Sequence, residues 1–159
     1  MVTSSDDIRF RVATSADVPA IAVCRLTDLA AGPADPRMAA YLDGTHHPQE
    51  ALPPRVGYVA LIREDVIGYI AGHLTKRHGR AGEVQYLFVA PDFRRRGVAT
   101  ALLRLLADWF VNARARKVCV CVDADSPAAK PFYESAGASP FRRLWYGWDD
   151  ISVLRKLSS

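Results

Sequence analysis

Long apolar runs, paired cysteines, lysines and glycine-rich nucleotide loops are scarce or missing in this chain of 159 residues, and each absence narrows what it can do. No apolar stretch approaches the ~20 residues of a membrane-spanning helix. The opening MVTSSDDIRF is acidic where an export signal would be basic and then apolar, so a cytoplasmic location and no membrane partner are expected. The three cysteines, Cys24, Cys119 and Cys121, are odd in number, form no CxxC pair and have no histidine set at zinc spacing. His46 and His47 stand together without a carboxylate or cysteine at ligand distance in sequence, so no metal is expected. Neither GxxxxGK[ST] nor GxGxxG occurs, which removes nucleotide hydrolysis and dinucleotide redox chemistry. Only Lys76, Lys117, Lys130 and Lys156 are lysines among 21 cationic residues. The net charge of +4 is scattered except at Arg94 to Arg96 and Arg142 to Arg143, a pattern of one anion site rather than a nucleic-acid face.

What is present is an ordinary globular composition, 50% hydrophobic and 24% charged, read as a single domain over residues 1–159. At this length folding buries roughly 68–70% of the unfolded surface, so a core can form without disulfides or a structural metal. Ile8 to Ala13 alternates apolar and charged residues as a half-buried strand does. Thr14 or Ser15 caps a helix whose apolar stripe runs from Val18 through Leu29 towards Gly32. Residues 32 to 55 hold too many glycines and prolines for regular structure, apart from a short helix near Arg37 to Leu42. Gly57 to Ile62, Val66 to Leu74 and Glu83 to Val89 read as an antiparallel meander. Gly97 to Arg114 is the longest helix, with Val98, Leu102, Leu105, Leu106 and Trp109 on one face. Lys117 to Val122 is a short strand, and a helix from Pro127 to about Ala136 stops at Gly137. Leu144 to Trp148 and Ile151 to Leu157 read as a final hairpin, whose strands could pair between two copies in a homodimer. The order is β-α-α-β-β-β-α-β-α-β-β, an α/β (α+β) mixed sheet flanked by helices.

The stretch Leu87-Phe88-Val89-Ala90-Pro91-Asp92-Phe93-Arg94-Arg95-Arg96-Gly97-Val98-Ala99-Thr100 takes a buried strand through an arginine-rich turn into a helix. A helix N-terminus offers unpaired N–H groups and positive dipole to a phosphate, and Gly97 lets the backbone come close. Arg94-Arg95-Arg96-Gly97-Val98-Ala99 resembles the [RQ]-x-x-G-x-[GA] pyrophosphate turn of the GCN5-related N-acetyltransferases. The segment Ser126 to Gly137 is similar to that family's N-x-x-A-x-x-[LF]-Y-E-x-x-G helix, with serine at position 126 where the family usually has asparagine.

The resemblance spans essentially the whole chain and implies a mostly antiparallel central sheet of 6–7 strands with about four helices. It implies acetyl-CoA as donor, CoA as product and an amine as acceptor. Acyl-CoA would lie where the strand at Leu87, Phe88 and Val89 splays from the strand around Val118 to Val122. Backbone groups of those three residues would hold the pantetheine arm, and the turn, Arg94 to Thr100, its pyrophosphate. Ser126 would reach the cofactor arm, the Val89 N–H would serve the oxyanion, and Tyr133 would act as general acid beside the sulfur. Glu83 lies where several members carry a glutamate base; an exposed glutamate after the Gly82 turn is the plain alternative. Asp123, Asp125, Asp149 and Asp150 are further carboxylates that read as turn residues, though Asp149 and Asp150 could attract a cationic amine. Tyr41, Trp145, Tyr146 and Trp148 are candidate walls of an acceptor pocket or plain core. Cys119 and Cys121 share a strand face and read as small buried hydrophobes. Two further readings stay open: an acyl-CoA-binding module without turnover, and an aminoacyl-tRNA-acetylating toxin of the same fold.

Overall fold

The computed structural model describes residues 7–156. Seven strands form one sheet in the order β1-β2-β3-β4-β5-β7-β6. They are β1 (Ile8–Val12), β2 (Ala51–Ile62), β3 (Asp65–Thr75), β4 (Gly82–Val89), β5 (Val118–Cys121), β6 (Ser139–Arg142) and β7 (Trp145–Trp148). Helices α1 (Val18–Arg25) and α2 (Met38–Asp43) cover one face, and α3 (Val98–Asn112) and α4 (Ala129–Ser135) the other. Among the described residues β4 and β5 make the one parallel pairing; every other neighbour is antiparallel.

Most of the expected elements form, with four differences. Helix α1 ends at Arg25 because the Thr27 hydroxyl donates to the Cys24 carbonyl and Arg25 reaches the carbonyls of Ala31 and Gly32, drawing the chain back. The apolar residues that extended the sequence reading, Leu26 and Leu29, are solvent-exposed. Strand β2 starts at Ala51, inside the proline-rich stretch. Its Pro53-Pro54 pair falls in the register irregularity between Leu52 and Arg55, where no ladder N–H is needed. The buried stripe of α3 is Val98, Leu102, Leu103, Leu106, Ala107 and Phe110, whereas Leu105 and Trp109 lie at its margin. It packs tightly on the sheet: a Cβ at Gly72 would stand 3.0 Å from Leu106 and 2.8 Å from a backbone oxygen.

The last hairpin differs most. It joins β6 to β7 through Arg143 and Leu144, with Leu144 at φ 64°, and Pro140 is tolerated because β6 is the sheet edge. Ile151–Lys156 is a 3-10 helix, not a strand. Ile151 and Leu154, both fully buried, repeat at helical spacing, and the Asp150 carboxylate accepts the Ser152 N–H at its start. Leu157, the end of the expected strand, lies outside the described residues.

Candidate active site

The sheet opens between β4 and β5. Pairing runs only from Gly82 to Val84 against Val118 to Val120, so the later half of β4 has a neighbour on the β3 side alone. The register shift opposite Ala71 and Gly72 leaves Gln85 as an extra residue, a bulge that bends β4 just above its last contact with β5. Ala90 N–H donates to the Ile67 carbonyl at 2.8 Å beside the Gly68–Val89 pair, which makes that pair, and Ile70–Leu87 two residues along, the non-hydrogen-bonded kind. The N–H and C=O groups of Leu87 and Val89 therefore point away from β3, towards the open edge. Phe88, half a period out of step, directs its backbone at Tyr69, and its buried ring packs 5.8 Å from that residue's ring.

Beyond the opening the chain makes a 3-10 turn at Pro91–Phe93 and enters α3 through Arg95 at φ 64° and Gly97 at φ 79°. Gly97 is the N-cap of α3 and supplies no side-chain cap, so the N–H groups of Val98, Ala99 and Thr100 start the helix without one. A Cβ at Gly97 would meet no atom within 4 Å, so that side is open space. Arg95 and Arg96 are exposed, Arg96 lying over Phe93. Arg94 is engaged elsewhere: it donates to the Val89 carbonyl at 2.8 Å and to Asp28 at 2.8 Å, tying the segment after α1 to the end of β4. Its guanidinium thereby occupies one of the two outward carbonyls of β4.

Ser126 is half-buried in the turn ahead of α4, its N–H donating to the Asp123 carbonyl. Tyr133, on α4, is 6% exposed and packs edge-on against Phe132 and Trp148 at 5.1 and 6.0 Å. Its hydroxyl makes no side-chain hydrogen bond among the described residues, and burial pushes its ionisation far above the ordinary phenol range, so it stays protonated.

Glu83 is not an exposed turn residue: it is 4% exposed and faces the side of the sheet covered by α2. Oε2 lies 3.7 Å from Arg77 Nη1, and Oε1 lies 3.7 Å from His73 Nε2. Arg77 in turn sits 4.7 Å over the Trp145 ring, which closes on His78 at 4.5 Å. His73 and Arg77 were not singled out in the sequence. His73 alternates correctly along β3, but only the His73–Glu83 register pair brings the two side chains to one face.

The other sequence candidates divide. Trp148 is core, 1% exposed with its indole N–H on the Ala136 carbonyl, and Tyr146 is buried with its hydroxyl on Glu134. Tyr41 is fully buried, and Trp145 alone of the four is half-buried rather than core. Asp149 and Asp150 pair with Arg80 and Arg116 beyond the end of β7 opposite to the opening, so they are not placed to attract an amine. Asp123 accepts the Asp125 N–H as a turn residue. Cys119 is buried and Cys121 exposed, and burial raises both thiols, Cys119 to about 12. His47 and the His46 carbonyl contact Arg55, and among the described residues no group of three His, Cys, Asp or Glu could hold a metal.

Residues 25–138 match the profile of the Acetyltransferase (GNAT) family. N-alpha-acetyltransferase 30 of Schizosaccharomyces pombe is 28% identical over 94 residues, 58% of this chain and 63% of that relative, so the chain spans less than two thirds of the relative's length. Among solved structures, a GNAT-family acetyltransferase from Staphylococcus aureus Mu50 superposes with a TM-score of 0.74 at 10% identity, covering 91% of this chain and 99% of that one. The PaiA N-acetyltransferase of Thermoplasma acidophilum, solved with coenzyme A, gives 0.66 at 14% identity over 89% and 96%. At these identities the solved structures establish the shared fold.

Proposed function

The chain belongs to the acetyltransferase (GNAT) family, and from that premise we propose that it moves an acetyl group from acetyl-CoA to a primary amine by direct attack. The observation that carries the proposal is the open edge of β4. There the N–H and C=O of Leu87 and the N–H of Val89 turn away from β3 into a split that leads to the uncapped N-terminus of α3, the Val89 carbonyl being taken by Arg94. An extended amide-containing arm can add to such an edge as a strand does. The open space beside Gly97 suits a pyrophosphate on the amides of Arg95 to Thr100, with Arg95 and Arg96 as exposed cations and Ser126 across the gap. Arg94 serves this site through Asp28 and Val89 rather than by meeting phosphate itself.

The chemistry divides among three groups. An ammonium has no lone pair, so Glu83 takes the amine proton, directly or through a water. As the C–N bond forms and the C–S bond breaks, the Val89 N–H faces the charge growing on the thioester oxygen. Tyr133, kept protonated by burial, donates to the departing sulfur. Tyr133 belongs to the face of α3 and α4, and Glu83 to that of α2, so donor and acceptor would approach through the split from opposite sides. The acceptor is a small amine or a protein amino group, received near Arg77 and Trp145, where the aromatic face is partly exposed.

Calorimetric titration with acetyl-CoA, followed by thiol release on spermidine, lysine, an aminoglycoside and an alanine-started peptide, tests this. Micromolar binding with release on one class is expected. Binding with no release on any acceptor would favour a binding module, and absence of binding would overturn the proposal.

A further inference from the structure

Two buried polar atoms face each other at the base of the site, and neither has a hydrogen-bond partner: His73 Nε2 and Glu83 Oε1. His73 is 0% and Glu83 4% exposed, and the two atoms are 3.7 Å apart, slightly beyond hydrogen-bond length. Unpartnered buried polar atoms are rare in folded proteins, and here each is the other's complement. The opposite edge of the imidazole is held: the Tyr41 hydroxyl lies 2.8 Å from His73 Nδ1. Tyr41 is itself immobilised, edge-on to Tyr86 at 5.3 Å with the Arg55 guanidinium 4.8 Å over its ring.

We propose that His73, oriented by Tyr41, is a positioning residue for Glu83. Its Nε2–H draws Oε1 inward and leaves Oε2 as the oxygen that meets the acceptor's proton. The tautomer follows from the contacts. Burial keeps the Tyr41 hydroxyl protonated and able to donate to Nδ1, whereas a ring hydrogen on Nδ1 would set the Nε2 lone pair against the Glu83 carboxylate oxygen, acceptor facing acceptor; the inferred arrangement therefore has Nε2–H towards Glu83. A histidine is not needed to fill this place, since β3 is otherwise apolar on both sides of it over Tyr69 to Leu74. The ionisable groups around Glu83 are His73 on β3, Arg77 and His78 in the turn after it, Tyr41 behind His73 on α2, and Cys119 and Cys121 on β5. The two thiols are neutral at physiological pH because burial raises them. His73 is therefore the neighbour whose replacement takes an N–H donor from the carboxylate while Arg77 stays in place.

This inference rests on Glu83 being the base, and the experiment separates the two. Long-range 1H–15N correlation spectra of the 15N-histidine-labelled full chain, assigned by His73→Gln, should show the Nε2–H tautomer of His73. Tyr41→Phe should erase that preference. The Nδ1–H tautomer in the unsubstituted protein would overturn the inference. In pH profiles of kcat/KM on the best acceptor of the panel above, His73→Leu should move the acidic limb up by roughly one pH unit, since a lost donor disfavours the carboxylate's charged form. His73→Gln, which keeps an N–H donor, should recover part of the shift, and acetyl-CoA affinity should not change. A merely structural role would lower the profile without moving its limb, which would count against us. If His73→Leu does not fold, Tyr41→Phe carries the test, with a smaller shift of the same sign expected and a stationary limb overturning it. Glu83→Gln distinguishes the failures. If it keeps the wild-type rate, the base assignment falls and this inference with it. If it abolishes turnover while the His73 and Tyr41 variants leave the limb in place, only the positioning role falls.

Discussion

Replacing Tyr133 by phenylalanine removes one oxygen and keeps the ring, which makes stability and catalysis separable. The ring contacts to Phe132 and Trp148 at 5.1 and 6.0 Å persist, and no hydrogen bond to a described side chain is broken. The change in folding stability should stay below about 1 kcal/mol. In a chain this size that is a shift in Tm of less than about 2–4 °C. If the hydroxyl is the proton donor to the leaving sulfur, kcat should fall by roughly 10²–10⁴. At 1.36 kcal/mol per decade this is about 2.7–5.4 kcal/mol of barrier. Initial rates of thiol release at saturating acetyl-CoA measure the loss, and calorimetry on the same sample should return an unchanged affinity. A thioester whose leaving thiol is more acidic than that of CoA should recover much of the rate, because it departs without help. A Tyr133→Phe variant within about threefold of wild type in kcat, folded and binding normally, would refute the acid assignment. Tyr133→Ala is the contrasting case, since losing the buried ring should cost about 3–5 kcal/mol whatever its chemistry.

Three further outcomes follow from the same geometry. Asp17 is held below the usual carboxylate range by two hydrogen bonds from Arg11, at 2.9 and 2.8 Å, and by the Thr14 N–H. Asp17→Asn should cost about 1 kcal/mol at pH 7. A carboxyl depressed on folding stabilises above its unfolded value of about 3.9 and stops doing so as pH falls through the folded one. The Tm gap between variant and wild type should therefore close below about pH 4, and a gap that persists there would contradict the assignment. Gly97→Ala places a Cβ at φ 79° in open space, so stability should drop by about 1–2 kcal/mol. Acetyl-CoA affinity should weaken by roughly tenfold, about 1.4 kcal/mol, and an unchanged Kd in calorimetry would remove this turn from the phosphate site. Burial raises Cys24 to about 11 and Cys119 to about 12, so a disulfide reagent at neutral pH should label the native protein at exposed Cys121 alone. Cys121→Ser should keep its kcat, whereas its loss would revive a thiol nucleophile.

Local information carried most of the architecture. Strand alternation at Ile8 to Val12, the apolar meander, the arginine turn into α3 and the Tyr133 helix are patterns within one element or one connection, so composition and spacing expose them. The amino-acid sequence by itself determined the element order as far as the Tyr133 helix, and the backbone turn before α3, because a left-handed glycine ahead of an amphipathic helix is a local requirement. Its errors came where spacing fits two periods, as in the helical Ile151 and Leu154 read as strand, or where a proline pair is excused by a bulge. Pairing is what only the tertiary structure decided. Register set His73 against Glu83, one extra residue at Gln85 opened β4 from β5, and contact across the fold spent Arg94 on Asp28 and Asp149 on Arg80. Periodicity states which face a side chain takes, but its partner there depends on strand order and register, which no single segment encodes.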